Sequence, residues 1–138
     1  MLVKPMADEP YTCAMKKKYW RVYVDAEGES HLEEADVDLV LTDYAPPAPS
    51  LFASAARPAA GFAYLGASPS WDSGWHPAPR RQLFVLLRGA LEGKVSDGRS
   101  VRLEAGDVIL LEDNSGRGHM SRVVGDENVE ALVVVLPD

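Results

Sequence analysis

The side chains of this sequence that are best suited to proton transfer near neutral pH are its three histidines, because an imidazole has an ordinary pKa of about 6.5. His76 follows the tryptophan-containing segment 71–75, and His119 ends the glycine-rich segment 116–119. Taken alone, each could be a packed or backbone-bonded histidine, but both lie beside segments typical of strands. His31 stands among glutamates and is interpreted as a solvated surface residue. We therefore predict that His76 and His119 share a pocket.

Other polar side chains near these two histidines could assist the same chemistry. We predict His119 as the general acid or base, with Glu112 or Asp113 holding its tautomer. Gln82 could donate a hydrogen bond to a substrate carbonyl and stabilise an enolate or oxyanion. The plainer interpretation of residues 112–114 is a polar turn that is capped by its own side chains, and both interpretations stay open.

Aromatic and arginine side chains surround the same part of the chain. Trp71 and Trp75 lie in a Gly/Ser/Asp loop and are predicted to form the lip of a pocket for a hydrophobic ligand. Arginines could grip a carboxylate or phenolate, or they could pair with surface carboxylates. The predicted substrate-binding residues are Trp71, Trp75, Tyr64, Phe84, Arg80 and Arg122.

Length and composition limit the protein that must position these residues. A chain of 138 residues with 46% hydrophobic residues is predicted to form one globular domain. A net charge of −7 argues against nucleic-acid binding, which needs clustered cations. The single cysteine, Cys13, excludes an intrachain disulfide and a thiolate zinc site, so we expect a cytoplasmic protein. No apolar stretch is long enough to span a membrane.

The chain alternates short apolar runs with turn residues. The predicted strands lie at 19–24, 37–44, 61–66, 82–88, 90–96, 101–103, 108–111 and 129–136. Asp97 and Gly98 predict a tight hairpin turn, and seven of the ten prolines lie between Pro46 and Pro79, where a long helix is excluded. We predict an all-β antiparallel barrel or jelly roll. Residues 1–18 would be a flexible leader and 19–138 one domain, with 19–60 as N-terminal strands and arm and 61–138 as barrel core.

The segment from Gly74 to Leu136 resembles a cupin. The first cupin motif has a glycine, two histidines one residue apart, a glutamate and then a closing glycine. His76 matches the first histidine and Gly89 the closing glycine, whereas Ala78 and Gln82 stand where the second histidine and the glutamate belong.

The second cupin motif begins here at Gly106 and Asp107. The family then has a proline, a glycine and a histidine. This chain has Glu112 in place of the proline and a longer turn before His119. Cupins share a double-stranded β-helix fold, so the resemblance implies that fold here, with an N-terminal β extension.

The resemblance also bears on metal and partners. A cupin metal site uses three imidazoles and a carboxylate, and two of those four ligands are replaced here, so we predict no metal cofactor. A retained ion would use His76, His119 and Gln82, with an acid such as Glu112 or Asp113 as substitute ligand. Cupins commonly dimerise by lending N-terminal strands, which implies a homodimer built through 19–24 and 37–44.

Three functions follow from these observations. The first is a metal-independent enzyme that catalyses proton transfer, isomerisation or cyclisation of a hydrophobic, oxygenated small molecule, as some cupins of secondary metabolism do. A closed cavity could also favour cyclisation by holding a flexible chain in a reactive conformation. The second is a metal-dependent cupin dioxygenase. The third is a non-catalytic ligand-binding or sensory cupin.

Overall fold

The computed structural model describes residues 15–138, which form ten strands and no helix. The strands are β1 Met15–Val24, β2 Ser30–Thr42, β3 Leu51–Ala53, β4 Gly61–Ala67, β5 Gln82–Arg88, β6 Ala90–Val95, β7 Ser100–Glu104, β8 Val108–Leu111, β9 His119–Val124 and β10 Val129–Val135. In this described part of the chain, no helix is long and apolar enough to cross a membrane.

The larger of two compact units contains residues 19–35 and 58–138. In it, β1, β8, β5, β10 and β4 lie side by side in that order, and β7, β6 and β9 form a second sheet. The pairs are antiparallel except β1 with β8, which run parallel from Trp20 opposite Ile109 to Val22 opposite Leu111. The inward side chains of both sheets form one core cluster.

Alternation along the strands separates the core face from the outer face. In β10, Val129, Ala131 and Val133 are buried, whereas Leu132 and Val134 lie between them on the outer face and are half-buried. Successive side chains of a strand point to opposite sides, so the inner face of β10 is buried and its outer face only partly covered. Its outer apolar residues line a shallow groove with Phe62.

The smaller unit contains residues 36–57 together with residues 15–18 among those described. In it, the end of β2 pairs antiparallel with β3, from Val40 opposite Ala53 to Thr42 opposite Leu51. Lys16 Nζ lies 2.6 Å from Asp38 Oδ1. These contacts form without a helix across the proline-rich region, as the sequence predicted.

The predicted all-β cupin fold is confirmed, with differences at the edges of elements. β1 begins at Met15, so residues 15–18 of the predicted leader belong to a strand, and residues 1–14 lie outside the described part. β2 begins at Ser30 rather than at residue 37 because Ser30 and Leu32 are already buried. The predicted strand set did not include β3 or β9.

Candidate active site: a cavity with two imidazoles

A cavity of about 480 Å³ lies inside the larger unit, among the inward side chains of both sheets. Its wall is mostly aliphatic, with residues such as Leu91, Leu103, Ile109 and Ala131. A cavity of this size, largely apolar with a few polar groups, is typical of small-molecule sites. The polar side chains in the wall therefore decide what chemistry the cavity supports.

The strongest polar contact in the wall joins His119 to Asp113. His119 opens β9 and is 7% exposed, while Asp113 follows β8 and is fully buried. His119 Nδ1 lies 2.6 Å from Asp113 Oδ2. An ionised carboxylate can only accept a hydrogen bond, so Nδ1 carries the proton and Nε2 keeps its lone pair. The pair thus fixes one tautomer of His119.

Asp113 depends on this contact for a hydrogen bond to its buried carboxylate. Its Oδ1 has no hydrogen-bond partner among the described residues. Its backbone carbonyl accepts a hydrogen bond from the N–H of Ala78 at 3.0 Å, which fixes the turn. A buried carboxylate without a partner is costly, so the His119 imidazole also stabilises the carboxylate that orients it.

His76 completes a pair of imidazoles. Its ring centroid lies 4.8 Å from that of His119, with the planes tilted by 55°. The backbones are joined in both directions, since His76 N donates to His119 O at 3.0 Å and His119 N to His76 O at 2.9 Å. His76 Nδ1 lies 3.1 Å from the carbonyl of Gly74. Because a carbonyl only accepts, His76 also carries its proton on Nδ1 and keeps a lone pair on Nε2.

Gly118 allows this close approach. Its φ is +76°, and a Cβ at this position would lie 2.1 Å from the carbonyl oxygen of His76. Only a residue without a side chain fits such a gap at such a φ. The carbonyl of Gly118 accepts a hydrogen bond from Ser30 Oγ at 2.7 Å, which ties the segment to the start of β2.

Gln82, Phe84 and Trp71 also line the cavity, as does Ser121. Ser121 is absent from the predicted residues. Its place two residues after His119 on one strand puts both side chains on the same face, which is the signal that could have found it. Its backbone pairs with the loop that carries Trp71, because Ser73 N donates to Ser121 O at 2.9 Å.

Glu112 lies outside the cavity, in a cluster of ions. Its carboxylate accepts hydrogen bonds from Arg21 and from Arg81, each at 2.5 Å, and Arg21 also bonds Glu33 at 2.6 Å. Partial burial works against the charged form, but the two guanidinium groups prevail and hold the pKa of Glu112 below its ordinary value. Of the two acids predicted to hold His119, the structure brings Asp113 to it and turns Glu112 toward β1 and β5.

Four other predicted residues do not line the cavity. Tyr64 is 73% exposed and meets Phe62 edge to face on the outer side of β4, with 6.3 Å between the ring centroids. Arg122 Nε donates to Glu92 at 2.7 Å on the outer face of β9. Trp75 and Arg80 are exposed on the segment that leads to β5.

His31 lies away from the cavity between two carboxylates. Its Nε2 is 2.7 Å from Asp25 and its Nδ1 is 2.9 Å from Asp97, and its ring lies against Tyr23 at 5.3 Å. Hydrogen bonds to Asp25 and then Asp97 raise the pKa of His31 above its ordinary value. The predicted surface histidine therefore joins the β1–β2 turn to the β6–β7 turn.

The polar groups present do not fit a cupin metal ion. Ala78, at the position of the second histidine, is 2% exposed and belongs to the core cluster. The Gln82 amide, at the position of the glutamate, is a weak ligand. Among residues 15–138, no three or more His, Cys, Asp or Glu side chains are grouped so that they could hold an ion.

Comparison with known proteins gives the family. A model of the cupin domain matches residues 66–135, whereas no curated protein matches the sequence. The chain is similar to a cupin 2 conserved barrel domain protein from Salinispora arenicola, with 26% identity and a TM-score of 0.46 over 55% of this chain and 61% of that one. It is also similar to a predicted oxalate decarboxylase from Thermotoga maritima, with 18% identity and a TM-score of 0.45 over 86% and 93% of the two chains. Since the family model covers half of the sequence, the chain belongs to the cupin domain family.

Proposed function

We propose that this cupin binds a small, hydrophobic, oxygenated molecule in its cavity and catalyses a metal-independent proton transfer, leading to isomerisation or cyclisation. The observation that carries the proposal is the 2.6 Å contact between His119 Nδ1 and the buried carboxylate of Asp113. Such a contact orients an imidazole and stabilises the imidazolium that forms when it takes a proton. An imidazole held in this way beside an apolar cavity is suited to general acid–base catalysis.

The proton balance of the step is simple. His119 Nε2 takes a proton from a carbon next to a substrate carbonyl, and the electron pair of that C–H bond moves to the carbonyl oxygen as an enolate. The Gln82 amide N–H can donate a hydrogen bond to that oxygen. The imidazolium then returns the proton to another carbon or to the oxygen, so the enzyme ends in its starting state. If the substrate carries a second, tethered carbonyl, the enolate carbon instead bonds to that carbonyl carbon, the C=O π pair moves to its oxygen, and the imidazolium gives its proton to that oxygen, which closes a ring and restores the enzyme.

The two other functions differ in what they need from the site. A dioxygenase needs a third strong ligand for its metal, and Ala78 supplies none. A non-catalytic binding protein needs the cavity but not the Asp113–His119 pair. The pair therefore supports the catalytic proposal over a purely sensory one.

Deuterium exchange tests the proposal without knowledge of the natural substrate. The probe is 2-tetralone, an apolar ketone with exchangeable hydrogens next to its carbonyl, followed by NMR in D₂O. The wild-type protein should accelerate the exchange, and His119→Gln should lower the acceleration by about 100-fold or more, the usual contribution of a general base. His31→Gln is the matched control because it alters a histidine outside the cavity. Equal exchange by the wild type and His119→Gln would contradict the proposal.

The homodimer and the cytoplasmic location remain predictions. Trp20, Arg21 and Val22 of β1 pair with β8 of the same chain, and a lent strand would make this pairing with a neighbour's β8 instead. Light scattering that gives twice the chain mass would support the dimer, and one chain mass would count against it.

A further inference from the structure

We propose that the cavity selects uncharged, largely apolar molecules that carry a hydroxyl group and rejects carboxylates of the same shape. This inference rests on the proposed use of the cavity as the ligand site. It adds the charge and the hydrogen-bonding class of the ligand. Two independent features of the cavity wall support this selection. Among residues 15–138, the wall has no cation that points inward, and both of its imidazoles keep a lone pair on Nε2.

The first feature is the charge of the wall. Among residues 15–138, Lys94 is the only lysine, arginine, aspartate or glutamate that lines the cavity, and it lies on the face of β6 opposite to the buried Leu91 and Val95. No arginine among residues 15–138 lines the cavity. Behind the wall, His119 Nδ1 lies 2.6 Å from the carboxylate of Asp113, which is negative.

A carboxylate ligand would therefore be removed from water without forming an ion pair with a cation of residues 15–138. Burial of an unpaired charge in an apolar site is strongly unfavourable, and the charge on Asp113 adds repulsion. The same wall accepts a neutral apolar body without this cost. Among ligands of the same shape, the cavity should therefore bind the neutral ones more tightly than the carboxylates.

The second feature is the pattern of hydrogen-bond acceptors. His76 donates from Nδ1 to the Gly74 carbonyl, and His119 donates from Nδ1 to Asp113. Each imidazole is left with an Nε2 lone pair, and the two rings lie 4.8 Å apart. Two acceptors side by side are complementary to a donor, and a hydroxyl is a donor without a charge. Ser121 and Gln82, which can donate or accept, add no bias against it.

Three probes of nearly equal shape test the selection: 2-naphthol, 2-naphthoate and naphthalene. Titration calorimetry of the wild-type protein at pH 7.5 should give binding of 2-naphthol at least about tenfold tighter than of 2-naphthoate, a difference of about 1.4 kcal/mol. Naphthalene should bind more weakly than 2-naphthol because it lacks the donor. Equal or tighter binding of 2-naphthoate would overturn the inference, while leaving the cavity as a ligand site.

Two variants separate the contributions. His76→Phe removes one acceptor without leaving Asp113 unpaired, and it should abolish most of the preference for 2-naphthol over naphthalene. Lys94→Met should not weaken the binding of 2-naphthoate, whereas a loss of 2-naphthoate binding would show that Lys94 reaches inward and would overturn the charge argument.

Failure of this inference is distinguishable from failure of the proposed function. Preference for 2-naphthol together with equal 2-tetralone exchange by the wild type and His119→Gln would retain the ligand class and reject the catalysis. No binding of any of the three probes at millimolar concentration would reject the cavity as the ligand site, and with it this inference.

Discussion

Replacement of Gly118 by alanine tests whether the contact between the two histidine segments holds the site together. The added Cβ would lie 2.1 Å from the carbonyl oxygen of His76 and 2.2 Å from its carbonyl carbon. Real Cβ atoms do not approach backbone atoms so closely, so the segment around His76 must move away from β9. The two backbone hydrogen bonds between His76 and His119 would then lengthen or break.

The expected loss of stability has two parts. A left-handed φ costs an alanine roughly 1 kcal/mol more than a glycine. Two lost backbone hydrogen bonds cost about 1 kcal/mol each. We therefore expect Gly118→Ala to lower the free energy of unfolding by about 3 kcal/mol, which corresponds to a fall in Tm of roughly 10 °C for a chain of this size.

Gly125→Ala is the matched control. Gly125 also has a positive φ, +89°, but apart from its two neighbours in the sequence no heavy atom of residues 15–138 lies within 4 Å of the position of its Cβ. Its substitution should cost only the conformational part, about 1 kcal/mol. Chemical denaturation followed by circular dichroism measures both variants, and binding of 2-naphthol should weaken only in Gly118→Ala. Equal losses of stability in the two variants would refute the proposed role of the contact.

Substitutions at His119, Glu112 and His31 test the hydrogen-bonded contacts of carboxylates in the larger unit. His119→Ala should cost about 3 kcal/mol because it leaves a buried carboxylate unpaired, and the double variant with Asp113→Ala should be more stable than His119→Ala alone in denaturant titrations. Glu112→Gln should lower the free energy of unfolding by about 1 kcal/mol at pH 7. Because the pKa of Glu112 is lowered in the folded state, its contribution to stability is complete above pH 4.5 and should shrink as the pH falls below 4.5. A Tm difference between variant and wild type that is unchanged at pH 3 would contradict this. His31→Gln should lower Tm at pH 6 but much less at pH 9. The contacts with Asp25 and Asp97 raise the pKa of His31, so their contribution to stability is complete below pH 6.5 and is lost as the pH rises through the raised pKa of the folded state. A constant Tm difference between pH 6 and 9 would be inconsistent with these contacts.

Much of the fold could be predicted because local chemistry and packing agree in the second half of the chain. Asp97 and Gly98 specify a tight turn by themselves, and Gly98 has the expected positive φ of +99°. β9 could not be predicted from hydrophobic alternation because the inward positions at its start hold His119 and Ser121, which line the cavity rather than the core. A strand that places polar side chains toward a functional site does not show the alternation of apolar and polar residues by which strands are recognised.

The proximity of His76 and His119 could be predicted from the sequence, but the acid that bonds His119 could not. The two histidines were placed together from their positions at strand ends. The choice between Glu112 and Asp113 depends on Arg21, a distant residue in β1 whose guanidinium draws Glu112 away. Adjacent residues at a strand end point to opposite sides, so only one of Glu112 and Asp113 can face the cavity. The neighbouring sequence does not show which one it is. The side toward the cavity is known only once the strands are paired.

The position of the second motif histidine links the fold to the chemistry. Ala78 packs into the core, and its N–H donates to the carbonyl of Asp113. The segment that would supply a metal ligand in other cupins therefore fixes a carboxylate that engages Nδ1 of His119. This contact leaves the Nε2 lone pair of His119 available to take a proton. The replacement of two ligands and the placement of Asp113 thus both support the proposed proton transfer by His119.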